Sequence, residues 1–285
     1  MEAKDTFFST KKTLNIQGRI LDLSTPIVMG ILNITPDSFY DGGKHLTEKQ
    51  IVDQAQKMLQ DGATIIDVGG YSSRPGASEV SESEEINRIC NAINLIIKEI
   101  PEAVISVDTF RSSVASAAIE KGAKIINDIS GGELDKDMFA VVAESQAPYI
   151  MMHMRGTPQT MSKLTTYQNI IFEMIDYFSV KIKKLIELGV CDIIIDPGFG
   201  FAKTREQNFE ILHKLQSFQV LGLPLLAGMS RKSMIQKTLD IDSENSLNGT
   251  SVVNTMALMN GANILRVHDV KEAVECIKLY KATYP

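Results

Sequence analysis

Side chains suited to acid–base, anion-binding or hydrogen-bonding chemistry stand at the ends of short apolar runs along the whole chain. They are Asn33, Asp67, Asp108, Asn127, Asp128, His153, Asp196, Ser230, Arg231, Lys232, Arg266 and His268. Taken singly, each reads as a helix cap or a satisfied hydrogen bond as readily as a functional group. Taken together they do not, because polar groups at the ends of buried strands are costly unless paired with one another or with a ligand. Arg266-Val267-His268 alternates, so the Arg and the His share one side of a strand. Ser230-Arg231-Lys232-Ser233 puts two cations at a helix start, where they oppose the helix dipole. A negative ligand or a carbonyl partner is expected there. His153 and His268 lack the His/Asp/Glu spacing of a zinc site.

Two loops add to this set. Leu32 to Gly43 carries an amide, the carboxylates Asp37 and Asp41, the aromatics Phe39 and Tyr40, and a Gly pair. That composition suits a lid bearing metal or substrate ligands. Gly69 to Ala77 carries Arg74, a candidate anion contact. A third stretch, Asp196-Pro197-Gly198-Phe199-Gly200-Phe201, is no dinucleotide fingerprint, because the third Gly is missing. It is no Walker A loop either, because Gly-Lys-Thr is absent. It reads as a strand-end carboxylate with a Gly-rich turn holding an aromatic beside it.

The elements that must position these groups announce themselves by repetition. Four times a helix end is followed by Gly, then Ala or Val, then an apolar run ending in a polar group. The runs close on Asp67, Asn127-Asp128, Asp196 and Arg266 to His268. The Gly fits the left-handed position that ends a helix. The apolar run is a strand buried on both faces, as in parallel sheets. Ile27–Ile31, Val104–Val107, Tyr149–Met152 and Leu225–Ala227 add four more strands. Capping boxes are expected at Thr47 with Gln50, Ser81 with Glu84 and Thr204 with Gln207. The longest helix is expected from about Thr166 to Leu188. Eight strands alternating with helices predict an α/β fold, a single (β/α)8 TIM barrel spanning residues 1–285. The first 13 residues are expected to be a loose segment. Leu14–Ile16 and Arg19–Leu23, flanking Gln17-Gly18, predict an N-terminal β-hairpin that closes the barrel floor. An open doubly wound sheet is the rival, disfavoured because it would gather polar strand ends near one switch point.

The chain has 285 residues, 44% hydrophobic and 22% charged, with a net charge of −6. No global basic field recruits nucleic acid or an anionic membrane, so an anionic substrate must be held by local cations and backbone N–H groups. No apolar run reaches bilayer length, and Met1 to Thr13 has no signal-peptide core. The cysteines, Cys90, Cys191 and Cys276, are odd in number and form no metal-type pair. A cytoplasmic protein is expected.

The loops together resemble the dihydropteroate synthase family. The resemblance rests on Met29 to Phe39 with Asp41-Gly42-Gly43, Gly69 to Ala77, Asp108-Thr109, Asn127 to Gly132, Asp196 to Phe201 and Ser230 to Ser233, in order over nearly the whole chain. Tyr71 stands where the family commonly has Glu, and Ser73 where it commonly has Thr. The resemblance implies condensation of 6-hydroxymethyl-7,8-dihydropterin diphosphate with 4-aminobenzoate to 7,8-dihydropteroate and diphosphate, with Mg2+ as cofactor. It implies a pterin pocket of Asp108, Asn127, Ile129, Met152, Asp196, Phe201, Gly228, Lys232 and Arg266. A diphosphate side of Asn33, Ser73, Arg74, Arg266 and His268 follows, and an aminobenzoate side of Phe39, Arg74, Pro75, Lys232 and Ser233. Asn33 and Asp41 are the implied metal ligands, and Asp108, Lys232, Asp41 and Arg74 the catalytic set. A homodimer packed through barrel helices is implied too. An arylamine is a weak nucleophile and the dihydropterin ring delocalises positive charge, so dissociative loss of Mg-pyrophosphate before amine attack is expected. Two rival readings are a pterin-dependent methyltransferase on a related barrel and a non-catalytic pterin-binding protein. Asp67 and Asp128 are left without a chemical role and are expected to be structural.

Overall fold

The computed structural model describes residues 10–34, 47–71 and 80–284. A hairpin, β1 (Thr13–Ile16) and β2 (Arg19–Asp22), comes first. Eight parallel strands follow: β3 (Ile27–Asn33), β4 (Ile65–Gly69), β5 (Ile105–Asp108), β6 (Ile125–Asp128), β7 (Tyr149–Met152), β8 (Ile193–Asp196), β9 (Leu226–Ala227) and β10 (Ile264–Val267). Between and after them run α1 (Glu48–Gln60), α2 (Glu82–Glu99), α3 (Ser112–Glu120), α4 (Met138–Ser145), α5 (Ile170–Glu187), α6 (Arg205–His213), α7 (Ser233–Leu239), α8 (Leu247–Met259) and α9 (Val270–Thr283). The strands hydrogen-bond in the order β8-β7-β6-β5-β4-β3-β10-β9. A bridge between Ile195 and Leu225 joins β8 to β9. The sheet therefore closes on itself as a (β/α)8 TIM barrel, and the open-sheet rival is excluded.

The predicted local chemistry explains the elements. Gly62, Gly122, Gly189 and Gly261, the recurrent helix-ending glycines, have φ of 103°, 106°, 81° and 91°, where a side chain would be strained. Thr47 and Thr204 form complete capping boxes with Gln50 and Gln207. Ser81 accepts from the Glu84 amide, but its box stays half made, because Arg88 takes the Glu84 carboxylate. The helix expected from Thr166 starts later, at Ile170, where the Asn169 side chain accepts from the Phe172 amide. Helix α1 buries Ile51, Ala55 and Met58, which fall on one face by their spacing. Each large apolar side chain so buried stabilises the fold by roughly 1.5–3 kcal/mol.

Inside the barrel, Met29, Ile65, Ile125, Ile150, Ile194, Leu226 and Ile264 pack into one apolar floor, with Val104 against them. Leu14, Ile16 and Leu23 of the hairpin join that cluster and close the bottom. The hairpin turns at Gln17 (φ 50°) and Gly18 (φ 86°), the positive-φ pair that suits a two-residue hairpin loop. Side chains alternate along a strand, so the next inward position lies two residues further on. Those positions are Ile31, Asp67, Ser106, Asn127, Met152, Asp196, Gly228 and Arg266. The period of two thus carries five of the strands from oily floor to a polar rim residue, Asp67, Ser106, Asn127, Asp196 or Arg266, toward the C-terminal end.

Candidate active site

Across the rim, Arg266 joins three strands. Its Nε donates to Asp67 Oδ2 at 2.7 Å and its terminal nitrogen to Asp108 Oδ2 at 2.6 Å. Asn127 Nδ2 also donates to Asp67 Oδ2, at 2.9 Å. Asp67 is completely buried and is therefore no passive rim residue. It fixes the plane of the Arg266 guanidinium and turns the Asn127 amide, so that Asn127 Oδ1 is the atom left to accept from a ligand. Asp128, by contrast, is structural as expected. Its carboxylate accepts from Ser130, from the Gly132 amide and from the buried Tyr149 hydroxyl.

Burial holds the Asp108 carboxyl up to about 7, although Arg266 pulls it down. Thr109, next along, anchors the end of β5 by donating to the buried Glu85 at 2.7 Å. Asp196, at the end of β8, is buried and accepts from the Gly198 amide at 2.7 Å through Oδ1. Burial raises its carboxyl, and Lys232 opposes that rise. Lys232 donates to the Phe199 carbonyl and lies 4.9 Å from the centre of the Phe201 ring. Burial lowers its ammonium to about 8. Ile129 and Met152 pack with Met154, Met161 and Ala202, and Phe201 lies against them. A Cβ added to Gly228 would meet nothing closer than Arg266 and Leu226, at 3.8 and 3.9 Å, so this glycine leaves room beside the guanidinium.

Asp108, Asn127, Ile129, Met152, Asp196, Phe201, Gly228, Lys232 and Arg266, the residues expected to form the pterin wall, all lie at or within a few residues of the C-terminal ends of the barrel strands. Asn33 and Asp108 reach toward one point above Gly69. Asn33 Oδ1 and Asp108 Oδ2 lie 3.4 and 3.6 Å from where a Gly69 Cβ would stand. His268 Nδ1 lies 3.0 Å from Ser230 Oγ, which also receives the His268 amide at 3.2 Å. Ser233 is exposed at the start of α7. Phe39, Asp41, Ser73, Arg74 and Pro75 lie outside the described residues. Tyr71 packs edge-to-face on Phe110 at 5.2 Å, with the Arg111 guanidinium 5.6 Å from its ring centre.

At the helix start, where the sequence predicts a negative ligand or a carbonyl partner, Arg231 finds both kinds within the protein, and Lys232 finds the Phe199 carbonyl. Arg231 is held in a left-handed conformation, φ 54°, by a two-pronged ion pair with Asp269 at 2.9 and 2.8 Å and by the carbonyls of Ser243 and Glu244. The dipole argument is local, whereas the counter-charge comes from beyond the end of β10.

Three acceptors (Asp108, Asn127 and Asp196), one ammonium and a pinned guanidinium surround an apolar slot. Such a mouth takes a flat ring with N–H donors on its edges. That is the class the sequence defines as well: the family model described as pterin binding enzyme matches residues 29–268. The dihydropteroate synthase of a Synechocystis strain is 46% identical over 260 residues, covering 90% of each chain. The Yersinia pestis dihydropteroate synthase with a sulfonamide drug complex superposes with a TM-score of 0.90 at 40% identity, covering 95% of this chain and 98% of that one. The Xanthomonas albilineans dihydropteroate synthase with 4-aminobenzoic acid gives 0.88 at 35% identity, covering 96% and 98%. This chain belongs to the dihydropteroate synthase family, and it is a transferase enzyme.

Proposed function

We propose that the chain joins 6-hydroxymethyl-7,8-dihydropterin diphosphate to 4-aminobenzoate, giving 7,8-dihydropteroate and diphosphate in folate synthesis. The observation that carries this reading is the Asp67-oriented set of Asp108, Asn127, Asp196, Lys232 and Arg266 around one slot. Asp196 Oδ2 and Asn127 Oδ1 accept from the amino and ring N–H groups of the pterin. Asp108 Oδ1 accepts from the reduced ring. Lys232 donates to the pterin carbonyl or ring nitrogen, and the Arg266 guanidinium covers a ring face.

The carbon–oxygen bond breaks first, and its electron pair leaves with the diphosphate. The cation that remains on the methylene is stabilised by the ionised Asp108. The aminobenzoate nitrogen then forms the new bond and releases one proton. Asn33, Arg266 and His268 face the diphosphate, with Ser73 and Arg74 completing that side. Phe39, Arg74, Pro75, Lys232 and Ser233 hold the aminobenzoate. Mg2+ needs few protein ligands beside phosphate oxygens and water. The amide oxygen of Asn33, close to Asp108 above Gly69, suits it as one hard donor, and Asp41 is the second. When bound, the ion would neutralise charge on the departing diphosphate.

Two copies pack through α8 and α9. Helix α8 carries no charged residue and exposes Val252, Met256 and Met259, and α9 exposes Leu279. Apolar faces of this kind favour burial against a partner. Among the described residues no helix is long and apolar enough to cross a membrane. The free cysteines Cys90, Cys191 and Cys276 suit the reducing cytoplasm. The test mixes the protein with the pterin diphosphate, aminobenzoate and Mg2+ and follows diphosphate release. Release that requires both substrates is expected; binding without release favours a non-catalytic pterin protein and overturns the reading.

A further inference from the structure

Behind Asp196 lies a buried amine that the proposed chemistry does not use. Lys203 follows the Gly-rich turn after β8, and its Nζ donates to the carbonyls of Phe201 at 2.8 Å, Gly198 at 3.0 Å and His153 at 3.3 Å. His153 Nδ1 is a further 3.0 Å contact. A charged amine there has only donors, so the imidazole facing it accepts and is neutral, with its proton on Nε2. Both residues are buried, at 8% and 2% exposed. Among the described residues the amine has no carboxylate within ion-pair distance, a costly arrangement for a buried cation. Burial accordingly drives both Lys203 and His153 well below their usual proton affinities, with Asp196 the group that favours the charged Lys203.

What the amine grips explains where that cost is offset. The Gly198 whose carbonyl it holds also donates its amide to Asp196. Phe201, held by its carbonyl, sets its ring beside Lys232, and Phe199 between them accepts from Lys232. The turn is seated so closely on the end of β7 that a Cβ on Gly198 would stand 2.3 Å from the His153 carbonyl oxygen. His153 in turn is wedged edge-to-face on Tyr177 at 4.8 Å. One side chain thus ties the end of β7 to both halves of the turn.

We propose that Lys203 is a positioning residue for recognition of the pterin ring: it clamps the 196–203 turn onto His153 and thereby sets the spacing between the Asp196 carboxylate and the Lys232 ammonium. It touches no substrate. The inference rests on the reading of Asp196 and Lys232 as ring contacts.

The test uses Lys203→Met, which keeps an unbranched side chain and removes the amine, and two probes measured by calorimetry on the full chain. The probes are 6-hydroxymethyl-7,8-dihydropterin and inorganic diphosphate with Mg2+. Pterin affinity is expected to fall about tenfold to a hundredfold, the scale of a small misplacement of binding groups, with diphosphate affinity unchanged. In turnover, KM for the pterin diphosphate rises while KM for aminobenzoate stays. Unchanged pterin affinity in the folded variant overturns the proposal. Parallel loss of both affinities overturns it too, because that is what a merely structural residue would give. Failure of the wild-type chain to bind the pterin overturns the underlying reading instead. Nitrogen NMR of the wild-type chain supplies a measurement independent of the variant's folding. Saturation with the pterin is expected to shift the His153 ring signals, and no shift overturns the proposal.

Discussion

Asp67 offers the sharpest test of how the pocket is built, because two substitutions separate charge from geometry. Its Oδ2 accepts from Arg266 Nε at 2.7 Å and Asn127 Nδ2 at 2.9 Å, while its buried Oδ1 has no hydrogen-bond partner among the described residues. Asp67→Asn can keep both hydrogen bonds by presenting its oxygen at the Oδ2 position and its amide nitrogen at the orphan one. What it loses is the charge, and charge-assisted bonds are about twice as strong as neutral ones. Taking about 1–1.5 kcal/mol for that loss, kcat/KM for the pterin diphosphate falls about fivefold to tenfold. Asp67→Ala removes both bonds, frees the Asn127 amide to flip and leaves Arg266 one carboxylate. Removing one partner of a buried pair costs about 3–5 kcal/mol. If half of that appears in ground-state pocket order, kcat/KM falls about tenfold to a hundredfold, and the rest appears as lost stability. The assay is initial-rate diphosphate release over a pterin diphosphate series, with chemical denaturation of the same preparations. A folded Asp67→Ala variant within threefold of wild type would refute the argument that Asp67 orients the pocket. Equal losses in the two variants would refute the separation of charge from geometry.

Other expectations follow from the same geometry. The proposed role of Asp108 needs it ionised, and its carboxyl is held up to about 7; kcat/KM therefore rises with pH through about 7. Lys232 must be protonated, and burial lowers it to about 8, so kcat/KM falls above about 8; Lys232→Arg should move only that alkaline limb upward in a pH–rate series. Gly198→Ala combines a φ of 69° with a 2.3 Å clash on the His153 carbonyl, so thermal unfolding should show a loss of more than about 1 kcal/mol. Asp269→Ala releases Arg231 from its two-pronged pair and should destabilise by about 1–3 kcal/mol in denaturant titration; a change below about 0.5 kcal/mol would mean that the Ser243 and Glu244 carbonyls hold Arg231 alone.

Much of the barrel is legible in the sequence because its signals are local. The Gly-apolar-polar phrase encodes helix end, strand and rim in about eight consecutive residues, a reach over which turn chemistry and strand period act directly. The hairpin at Gln17-Gly18 is legible for the same reason. Partners across the barrel are not. Asp67 reads as merely structural because Arg266 lies 199 residues away, and only closure of the sheet brings them together. Arg231 reads only as needing a negative or carbonyl partner, because a dipole argument sees the helix it precedes but not Asp269, 38 residues away. Lys203 gives no signal at all, since three of its acceptors are backbone carbonyls, which every sequence supplies. The late start of α5 comes from its cap: the Asn169 side chain bonds to the backbone in place of a preceding helical turn, and so sets the first helical residue at Ile170.

The hairpin floor has a kinetic consequence. With Leu14, Ile16 and Leu23 sealing the lower end, the barrel is a well with a single mouth. The groups that grip a ring sit on the inward positions just above the floor, and Ser233 and His268 stand exposed at the lip. In the proposed reaction the pterin diphosphate held at depth must therefore enter before aminobenzoate settles at the lip. Loading of this site is then ordered by depth, and the two substrates, once joined, leave together through that same mouth.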